Sequence, residues 1–178
     1  MARKEVRSFK YVKEMNRLLK RDGLFLVSSG KDSKPNVMTI GWGFLGTMWS
    51  MPIFIVAVRH SRYTFKLMEE SPSWTVCLPA KGMEGVLEFC GEKSGRDADK
   101  FKEMKLTAKN GVAVKAPHID ECPVHFECET IFKTDMLPGQ LKEDIEGKIY
   151  KSKDMHMIYF GQLKGCYEVE DAKKKLAR

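Results

Sequence analysis

The feature that most constrains the fold is the run MPIFIVAVR, from Met51 to Arg59. Its long apolar stretch is typical of a strand that is buried on both faces. The shorter β-branched segment NVMTI precedes it, and a loop rich in Gly and Trp joins the two. After Arg59, a basic and hydroxylated turn leads into SRYTFKLMEE, which can begin a helix. Residues 36–64 therefore predict a strand, a loop, a second strand and the start of a helix.

The segment CPVHFECETIFK, from Cys122 to Lys133, has the clearest alternation in the chain. Successive residues of a strand point to opposite faces, so the pattern predicts a half-buried strand. One face carries Val124, Phe126, Cys128, Thr130 and Phe132, and the other carries His125, Glu127 and Glu129. We expect Cys128 to be a core thiol, His125 to lie at the surface, and the two glutamates to face solvent.

The rest of the chain alternates short strands with helices. Residues 1–23 predict an N-terminal helical segment, because apolar residues recur at helical spacing and Gly23 can end the helix. LFLVSS, SWTVCLPA and HMIYFGQLKGCYEV predict strands, and KGMEGVLEFCGEKSG and ADKFKEMK predict helices. Residues 135–153 predict a loop, and residues 171–178 an exposed basic tail. The chain is thus mainly β with peripheral helices, in a single domain that spans residues 1–178.

Composition narrows the classes of partner. The chain has 178 residues, and its 31 basic against 24 acidic side chains give a formal charge of +7, which favours anionic ligands such as nucleotides or phosphates. The excess is spread over helix faces and the lysine tail, so we expect no nucleic acid as partner. The N-terminal residues lack the apolar segment of a signal peptide, and no apolar run is long enough to span a membrane. Five Cys without a CxxC fit reduced thiols, so we expect a cytoplasmic protein.

The corner after Arg59 is a candidate phosphate site. Arg59 and Arg62 are three residues apart, so both can reach one anion at the start of the helix. Ser61 and Thr64 are expected to cap that helix and donate hydroxyl hydrogen bonds. An arginine at such a corner can also be simply solvated.

The Gly- and Trp-rich loop is a candidate wall for a flat ring. Its glycines allow the backbone to approach closely, Trp42 and Trp49 can flank the ring, and Thr39 and Ser50 offer hydroxyls to its polar edge. The alternative is that these aromatic residues pack in the core.

Gly41, Gly43 and Gly46 also spell G-x-G-x-x-G, the pattern of a Rossmann dinucleotide site. That motif requires a helix directly after the glycines and an acidic residue about 20 positions further on. Here Pro52 and a β-branched run follow instead, which argues against a Rossmann fold.

A zinc site is a second alternative, since His118, Cys122, His125 and Cys128 have the right ligand chemistry. His125 and Cys128 are an odd number of residues apart on one strand, so their side chains point to opposite faces. We therefore predict no metal site, and we find no nucleophile motif of a hydrolase.

Several motifs together resemble one known family. They are NVMTIGW with Asn36, Met38, Thr39 and Trp42; VRHSRYT with Arg59, Arg62, Tyr63 and Thr64; SGRDADKF from Ser94 to Phe101; and DMHMIYFGQL with His156 and Gly161. These segments, which extend over most of the chain, resemble the flavin reductase-like FMN-binding proteins, especially the flavoredoxin branch. The resemblance implies a split β-barrel with Greek-key-like connections, which forms a homodimer and holds FMN at the subunit interface.

The resemblance also implies the site residues. Arg62 and Thr64 are the main phosphate candidates, Ser94 and Lys100 contribute to the same end, and His156 is the catalytic candidate that lines the open face. In this chain Met155 separates Asp154 from His156, so we do not expect Asp154 to orient the imidazole. The implied cofactor-binding set is Asn36, Met38, Thr39, Trp42, Thr47, Trp49, Ser50, Arg59, Ser61, Arg62, Tyr63, Thr64, Ser94 and Lys100.

The function implied is an oxidoreductase that passes electrons from NAD(P)H, or from a reduced protein such as ferredoxin, through FMN to an acceptor. Two alternatives remain open from the sequence. One is an FMN-binding electron carrier without a substrate site of its own, and the other is a basic barrel that binds nucleic acid.

Overall fold

The computed structural model describes residues 2–32 and 34–177. Within these ranges the chain forms one antiparallel sheet of eight strands, with the order β3-β2-β6-β9-β10-β5-β4 and β1 added along β10. The strands are β1 (Arg3–Glu5), β2 (Leu24–Ser29), β3 (Pro35–Ile40), β4 (Gly43–Met48), β5 (Met51–Arg59), β6 (Ser73–Leu78), β9 (Val124–Asp135) and β10 (His156–Val169). A small second sheet pairs β7 (Ala108–Lys109) with β8 (His118–Ile119).

Six helices of the described chain cover the sheet: α1 (Val12–Arg21), α2 (Tyr63–Glu70), α3 (Glu84–Glu92), α4 (Lys100–Glu103), α5 (Glu143–Ile149) and α6 (Ala172–Lys175). None of the described helices has the length and apolar character that crossing a membrane requires. All five cysteines are free and buried.

Strand β2 is buried on both faces and separates two apolar clusters. Leu24 and Leu26 belong to the main core, which α1 covers, while Phe25 and Val27 belong to a second cluster that also includes side chains of α3 and α4. Because successive strand residues alternate in direction, a continuous apolar run is what such a position requires. The predicted antiparallel return of the chain from β2 into β3 is confirmed by the pairing of Leu24 with Ile40.

The predicted loop between NVMTI and MPIFIVAVR is wrong, because it contains β4. Strands β4 and β5 form a hairpin in which Met48 pairs with Met51. The two turn residues, Trp49 and Ser50, have φ of 51° and 58°, as a two-residue hairpin turn requires. Glycine at position 43 permits the pairing, since a Cβ there would lie 2.6 Å from the Ile55 carbonyl oxygen. Glycines weaken the strand signal in a sequence, which explains the error.

Three further boundaries differ from the prediction. The N-terminal segment begins with β1, which pairs with β10, before α1. The predicted loop 135–153 contains α5. The predicted exposed tail forms α6 and then a bridge between Leu176 and Ala80, with Leu176 buried; Arg178 lies outside the described residues. Apolar burial explains only the tail, where Ala172, Leu176 and Ala177 are buried; β1 is held by its pairing with β10, and α5 buries none of its residues.

The most informative correction concerns the polar face of β9. His125 and Glu127, which we expected at the surface, are both 0% exposed. The connection between α4 and β9 folds over this face, so that the backbone of residues 112–114 contacts Glu127. The prediction for Cys128, a buried thiol in the main core, is confirmed. Alternation along a strand locates its two faces but does not say which of them another segment covers.

Candidate functional site: a basic cleft beside a tryptophan

The C-terminal end of β5 and the N-terminal end of the neighbouring strand β10 lie side by side. His156 pairs with Arg59 in the antiparallel register, and α2 begins four residues after Arg59. These elements, together with the end of β3, enclose a hollow of about 200 Å³ that we call the ring pocket. It is lined by Met38, Thr39, Ile40, Gly41, Trp42, Ala57, Arg59, Arg62 and His156.

A second hollow of about 110 Å³, here called the anion pocket, lies beside the first. Met38 and Arg62 line both pockets, so the two form one cleft. The other lining residues are Ser61, Tyr63, Thr64, Cys90, Gly91, Lys93, Ser94, Gly95, Arg96 and Lys100. The structure thus brings together most of the predicted site, and it adds Lys93 and Arg96. The SGRDADKF motif contains Arg96 and lies directly after Lys93, so their positions in sequence were a usable signal.

The two arginines of the corner have different roles. The Arg59 guanidinium donates to the backbone carbonyls of Asp154 and Ile149 and lies 5.1 Å from the ring centroid of Tyr150. Arg62 is exposed and forms no ion pair with any residue of the described ranges. Arg62 is therefore the corner cation that remains available to an anion, while Arg59 mainly fixes the segment before β10.

Three of the predicted polar contacts are used within the protein. The Asn36 side-chain amide donates to the Thr64 hydroxyl over 2.9 Å, and the Thr39 hydroxyl donates to the Leu87 carbonyl over 2.6 Å. These bonds hold β3 against α2 and α3. Asn36, Thr39 and Thr64 consequently shape the walls of the cleft.

The expected caps of α2 are wrong. The N-cap residue is Arg62, and its side chain makes no capping hydrogen bond. The Ser61 hydroxyl donates to the Asp154 carboxylate over 2.6 Å, and the Thr64 hydroxyl is occupied by Asn36. Both hydroxyls have tertiary partners, and among the described residues no side chain caps the backbone N–H groups of Tyr63 and Thr64, which keep their capacity to donate to a ligand.

Lys100 is buried and its ammonium group donates to the Val37 and Cys90 carbonyls, each at 2.8 Å. Burial lowers the pKa of this lysine. It joins α4 to α3 and β3 and adds positive charge behind the anion pocket. The loop that precedes α4 needs glycine at position 95, since a Cβ there would lie 2.0 Å from the Asn36 side-chain oxygen. The Ser94 hydroxyl accepts the Arg96 backbone N–H within the same loop.

His156 lies at the wall of the ring pocket, in contact with two aromatic rings. Its Nδ1 is 2.8 Å from the Tyr150 hydroxyl, and its ring centroid is 4.6 Å from that of Trp42. Burial, and then the charge of Arg59, lower the pKa of His156 to about 4. The Asp154 carboxylate contacts Ser61 rather than the imidazole, as its offset from His156 predicted.

Thr47, Trp49 and Ser50 do not join this cleft within one chain. They lie at the turn of the β4–β5 hairpin, about 20 Å of strand away from Trp42. Trp49 is 54% exposed, with its centroid 6.1 Å from Phe132 and 6.2 Å from Phe160. The expectation that Trp42 and Trp49 flank one ring is therefore wrong for a single subunit, because the unpredicted strand β4 separates them.

Of the four residues considered as zinc ligands and rejected from the sequence, His125 and Cys128 lie on β9, and Cys128 packs in the main core whereas His125 does not. A different group, here called the buried polar cluster, comprises Arg3, His118, His125 and Glu127. The two imidazole rings stack with centroids 3.9 Å apart and planes 4° apart. His125 Nε2 is 3.0 Å from the Glu127 carboxylate, which also accepts three backbone N–H groups.

The geometry of the buried polar cluster indicates a structural role. His118, His125 and Glu127 bring ligand atoms within 4.8 Å of one another, but two parallel rings cannot both direct in-plane lone pairs at one ion. The Arg3 guanidinium, which donates to the Cys122 carbonyl over 2.8 Å, adds a positive charge that disfavours a cation. Burial, with help from His125 and Arg3, lowers the pKa of His118 to about 3.

Comparison with known proteins identifies the family. A family model described as the flavin reductase like domain matches residues 20–177. The chain belongs to this family. The flavin reductase-like chain is 34% identical, over 71% of its length and 73% of the relative, to an uncharacterized protein of Archaeoglobus fulgidus.

Solved structures show the same fold. The flavoredoxin of Desulfovibrio vulgaris superposes with a TM-score of 0.68 at 23% identity, covering 87% of this chain and 75% of that one. The flavoredoxin from Methanosarcina acetivorans gives a TM-score of 0.66 at 25% identity, covering 83% and 68%. The predicted resemblance and the predicted split-barrel class are both confirmed.

Proposed function

We propose that the cleft binds FMN and that this flavin reductase-like protein is an FMN-dependent oxidoreductase. The observation that carries the proposal is that Met38 and Arg62 line both pockets, so that an anion site and a site for a flat ring form one cleft. FMN is a flat ring joined to a phosphate by a short chain. The FMN-binding domain of a flavin reductase-like enzyme from Shewanella baltica is among the structures with this fold, with a TM-score of 0.65.

The residues present fit a phosphate in the anion pocket. Arg62 offers a guanidinium that forms no ion pair within the described part of the chain, the start of α2 offers backbone N–H groups, and Lys93 and Arg96 add exposed positive charge. Gly95 keeps the loop close to Asn36 and Tyr63, where a side chain would collide. We assign phosphate binding to this group, with Arg62 as its main cation.

The ring pocket fits an aromatic ligand. Met38 and Trp42 offer apolar surface, and His156 and Arg59 lie at its polar side. Bound flavin accepts a hydride or single electrons and passes them on, while the protein supplies binding, orientation and electrostatics. The positive charge of Arg59 and Arg62 stabilises an anionic ligand in this cleft. NAD(P)H or a reduced protein such as ferredoxin is the proposed donor.

We also propose a homodimer formed through an exposed aromatic patch, defined by Phe44, Met48, Trp49, Phe132 and Phe160. Ile55 of β5 pairs with Phe44 of β4 on one side and with Phe160 of β10 on the other, and Phe160 pairs with Phe132 of β9. The three aromatic residues and Ile55 therefore form a row across four neighbouring strands. Phe44, Trp49 and Phe132 are 55%, 54% and 47% exposed. Contiguous exposed apolar surface of this kind marks an interface. Sedimentation of the wild type and of a Trp49→Ser variant tests this: we expect a dimer that the substitution weakens.

The flavin assignment is tested by the visible spectrum of the freshly purified protein and by titration with FMN, followed by flavin fluorescence. We expect a bound yellow chromophore, or saturable quenching of added FMN. A colourless protein that quenches no FMN contradicts the proposal. A colourless protein that instead binds oligonucleotides, with an affinity that falls steeply with salt, favours the nucleic-acid alternative.

Turnover then separates enzyme from carrier. Steady oxidation of NADH or NADPH by the flavin-loaded protein supports the oxidoreductase. Reduction by ferredoxin alone, with no response to either nucleotide, supports an FMN-binding electron carrier. The buried, unpaired thiols are consistent with a cytoplasmic location, which we propose for the protein.

A further inference from the structure

The hydroxyl of Tyr150 contacts two side chains, one of which, His156, lines the ring pocket. Tyr150 follows α5 and is 4% exposed. Its oxygen is 2.8 Å from His156 Nδ1 and 3.0 Å from Met136 Sδ. Met136 is itself fixed, because its backbone N–H donates to the His156 carbonyl over 2.9 Å. The hydroxyl therefore lies between an imidazole nitrogen and a thioether sulfur.

These two contacts together select a tautomer. A tyrosine hydroxyl has one proton, a thioether can only accept, and a neutral imidazole nitrogen can either donate or accept. Both contacts are satisfied only when Tyr150 donates to Met136 and accepts from Nδ1–H of His156. Since a neutral imidazole carries one proton, Nε2 is then left with a lone pair.

We propose that Tyr150 is a positioning residue that keeps His156 in its Nδ1–H tautomer, so that Nε2 accepts a hydrogen bond from an N–H or O–H donor of the ligand in the ring pocket. This inference rests on the proposed function for the identity of that ligand. FMN carries such donors at N3–H of its ring and at the hydroxyls of its ribityl chain.

The surroundings keep the lone pair available. Burial is the largest effect that disfavours protonation of the imidazole and lowers its pKa. The charges of Arg59, Arg62 and His60 act in the same direction, whereas the charge of Asp154 favours protonation, so the ring stays neutral at pH 7. Arg59 also lies over the Tyr150 ring and binds the Ile149 carbonyl, which fixes the tyrosine in place.

The tautomer can be measured in the ligand-free, full-length chain labelled with ¹⁵N-histidine. His156→Gln identifies the resonances of His156. We expect the wild type to carry its proton on Nδ1. Met136→Leu removes the sulfur acceptor, so the Tyr150 proton turns to Nδ1 and the imidazole proton moves to Nε2. Tyr150→Phe removes the selection and gives a mixture. A wild type protonated on Nε2, or a Met136→Leu spectrum identical to wild type, overturns the inference.

FMN titration supplies the second readout. Met136→Leu should weaken FMN binding about tenfold, the loss expected for one hydrogen bond, and Tyr150→Phe about twofold, because about half of a mixed population keeps the accepting Nε2. Circular dichroism should show an unchanged fold in both variants. Unchanged affinity in a variant with an inverted tautomer contradicts the ligand contact. If the tautomers behave as expected but no variant, including wild type, binds FMN, the proposed function fails while the role of Tyr150 stands. Met136→Leu keeps the test valid if Tyr150→Phe does not fold.

Discussion

The cleft and the buried polar cluster each combine an arginine with a histidine, yet they are opposites in accessibility. In the cleft, Arg62 is exposed and without an ion pair among the described residues, and His156 borders a pocket. In the cluster, the Arg3 side chain is 6% exposed, and His118 is stacked on His125 beneath a covering loop. The same residue types thus serve a ligand in one place and hold the fold in the other. What distinguishes them is accessibility, since the Arg3 guanidinium lies inside the fold beside backbone carbonyls and the Asp120 carboxylate, whereas the Arg62 side chain is exposed.

The largest effect should come from removing the carboxylate of the cluster. Glu127→Ala leaves three backbone N–H groups and His125 without their acceptor, so we expect unfolding to become about 3–5 kcal/mol easier in urea denaturation. Glu129→Ala is the matched control, because Glu129 lies on the same strand face but is paired with Lys164 near the surface; it should cost under about 1 kcal/mol. Equal effects of the two substitutions would contradict the contrast.

Arg62→Ala should have the opposite effect, a large loss of FMN affinity with little change in stability. Loss of a charged phosphate partner is expected to weaken FMN binding about 30- to 100-fold, or about 2–3 kcal/mol, in a fluorescence titration. Stability should change by less than about 0.5 kcal/mol, since Arg62 is exposed. Arg7→Ala, at another exposed arginine, should leave both quantities unchanged. Unaltered FMN affinity in Arg62→Ala removes this residue from the phosphate role.

Acid should destabilise the cluster. Because the folded-state pKa of His118 lies near 3, below its ordinary value of 6.5, the unfolded chain takes up the proton first. Stability is therefore complete above pH 6.5 and falls as the pH drops from 6.5 toward 3, by up to about 1.4 kcal/mol per pH unit for one proton. Urea denaturation of His118→Phe, which retains an aromatic ring beside His125, should show a shallower dependence in this window. A slope equal to that of wild type would show that His118 does not titrate with unfolding.

The smallest effect is expected at Thr39, a cleft residue whose hydroxyl, like the Glu127 carboxylate of the cluster, already has a hydrogen-bond partner within the protein. Thr39→Val removes the hydrogen bond to the Leu87 carbonyl and should cost about 1 kcal/mol of stability. FMN affinity should stay within about twofold, because the hydroxyl is occupied within the protein. A tenfold loss of affinity without a change in stability would restore Thr39 as a ligand contact.

Much of the architecture follows from local pattern. The apolar run of β5, the alternation of β9 and the helical spacing in α1 each correspond to an observed element. The errors occur where the local signal is weak. Strand β4 begins with Gly43 and contains Gly46, and the short helices α5 and α6 contain mostly charged residues. Such segments gain their structure from neighbours that are distant in sequence, which a periodicity cannot show.

For the cleft, the sequence located the correct corner but not the duty of each side chain. Arg62, Met38, Trp42 and His156 do line the cleft, whereas Trp49 and Ser50 lie at the far end of a hairpin. Tyr150 was missed because it lies in a segment predicted to be a loop. Its role becomes visible only in the folded chain, where His156 pairs with Arg59 and the Tyr150 hydroxyl contacts the His156 imidazole.

The sequence by itself determined the family, the strand-rich class and the segment from which the cleft is built, because these depend on residue order and on the alternation of apolar and polar side chains. The tertiary structure decided which polar groups remain free. A hydrogen bond such as that from Asn36 to Thr64, or the loop that covers Glu127, joins residues far apart in the chain. A buried charge is stable only when neighbouring groups pair with it or hydrogen-bond to it. Only the folded chain therefore separates the groups that hold the protein together from those available to a ligand.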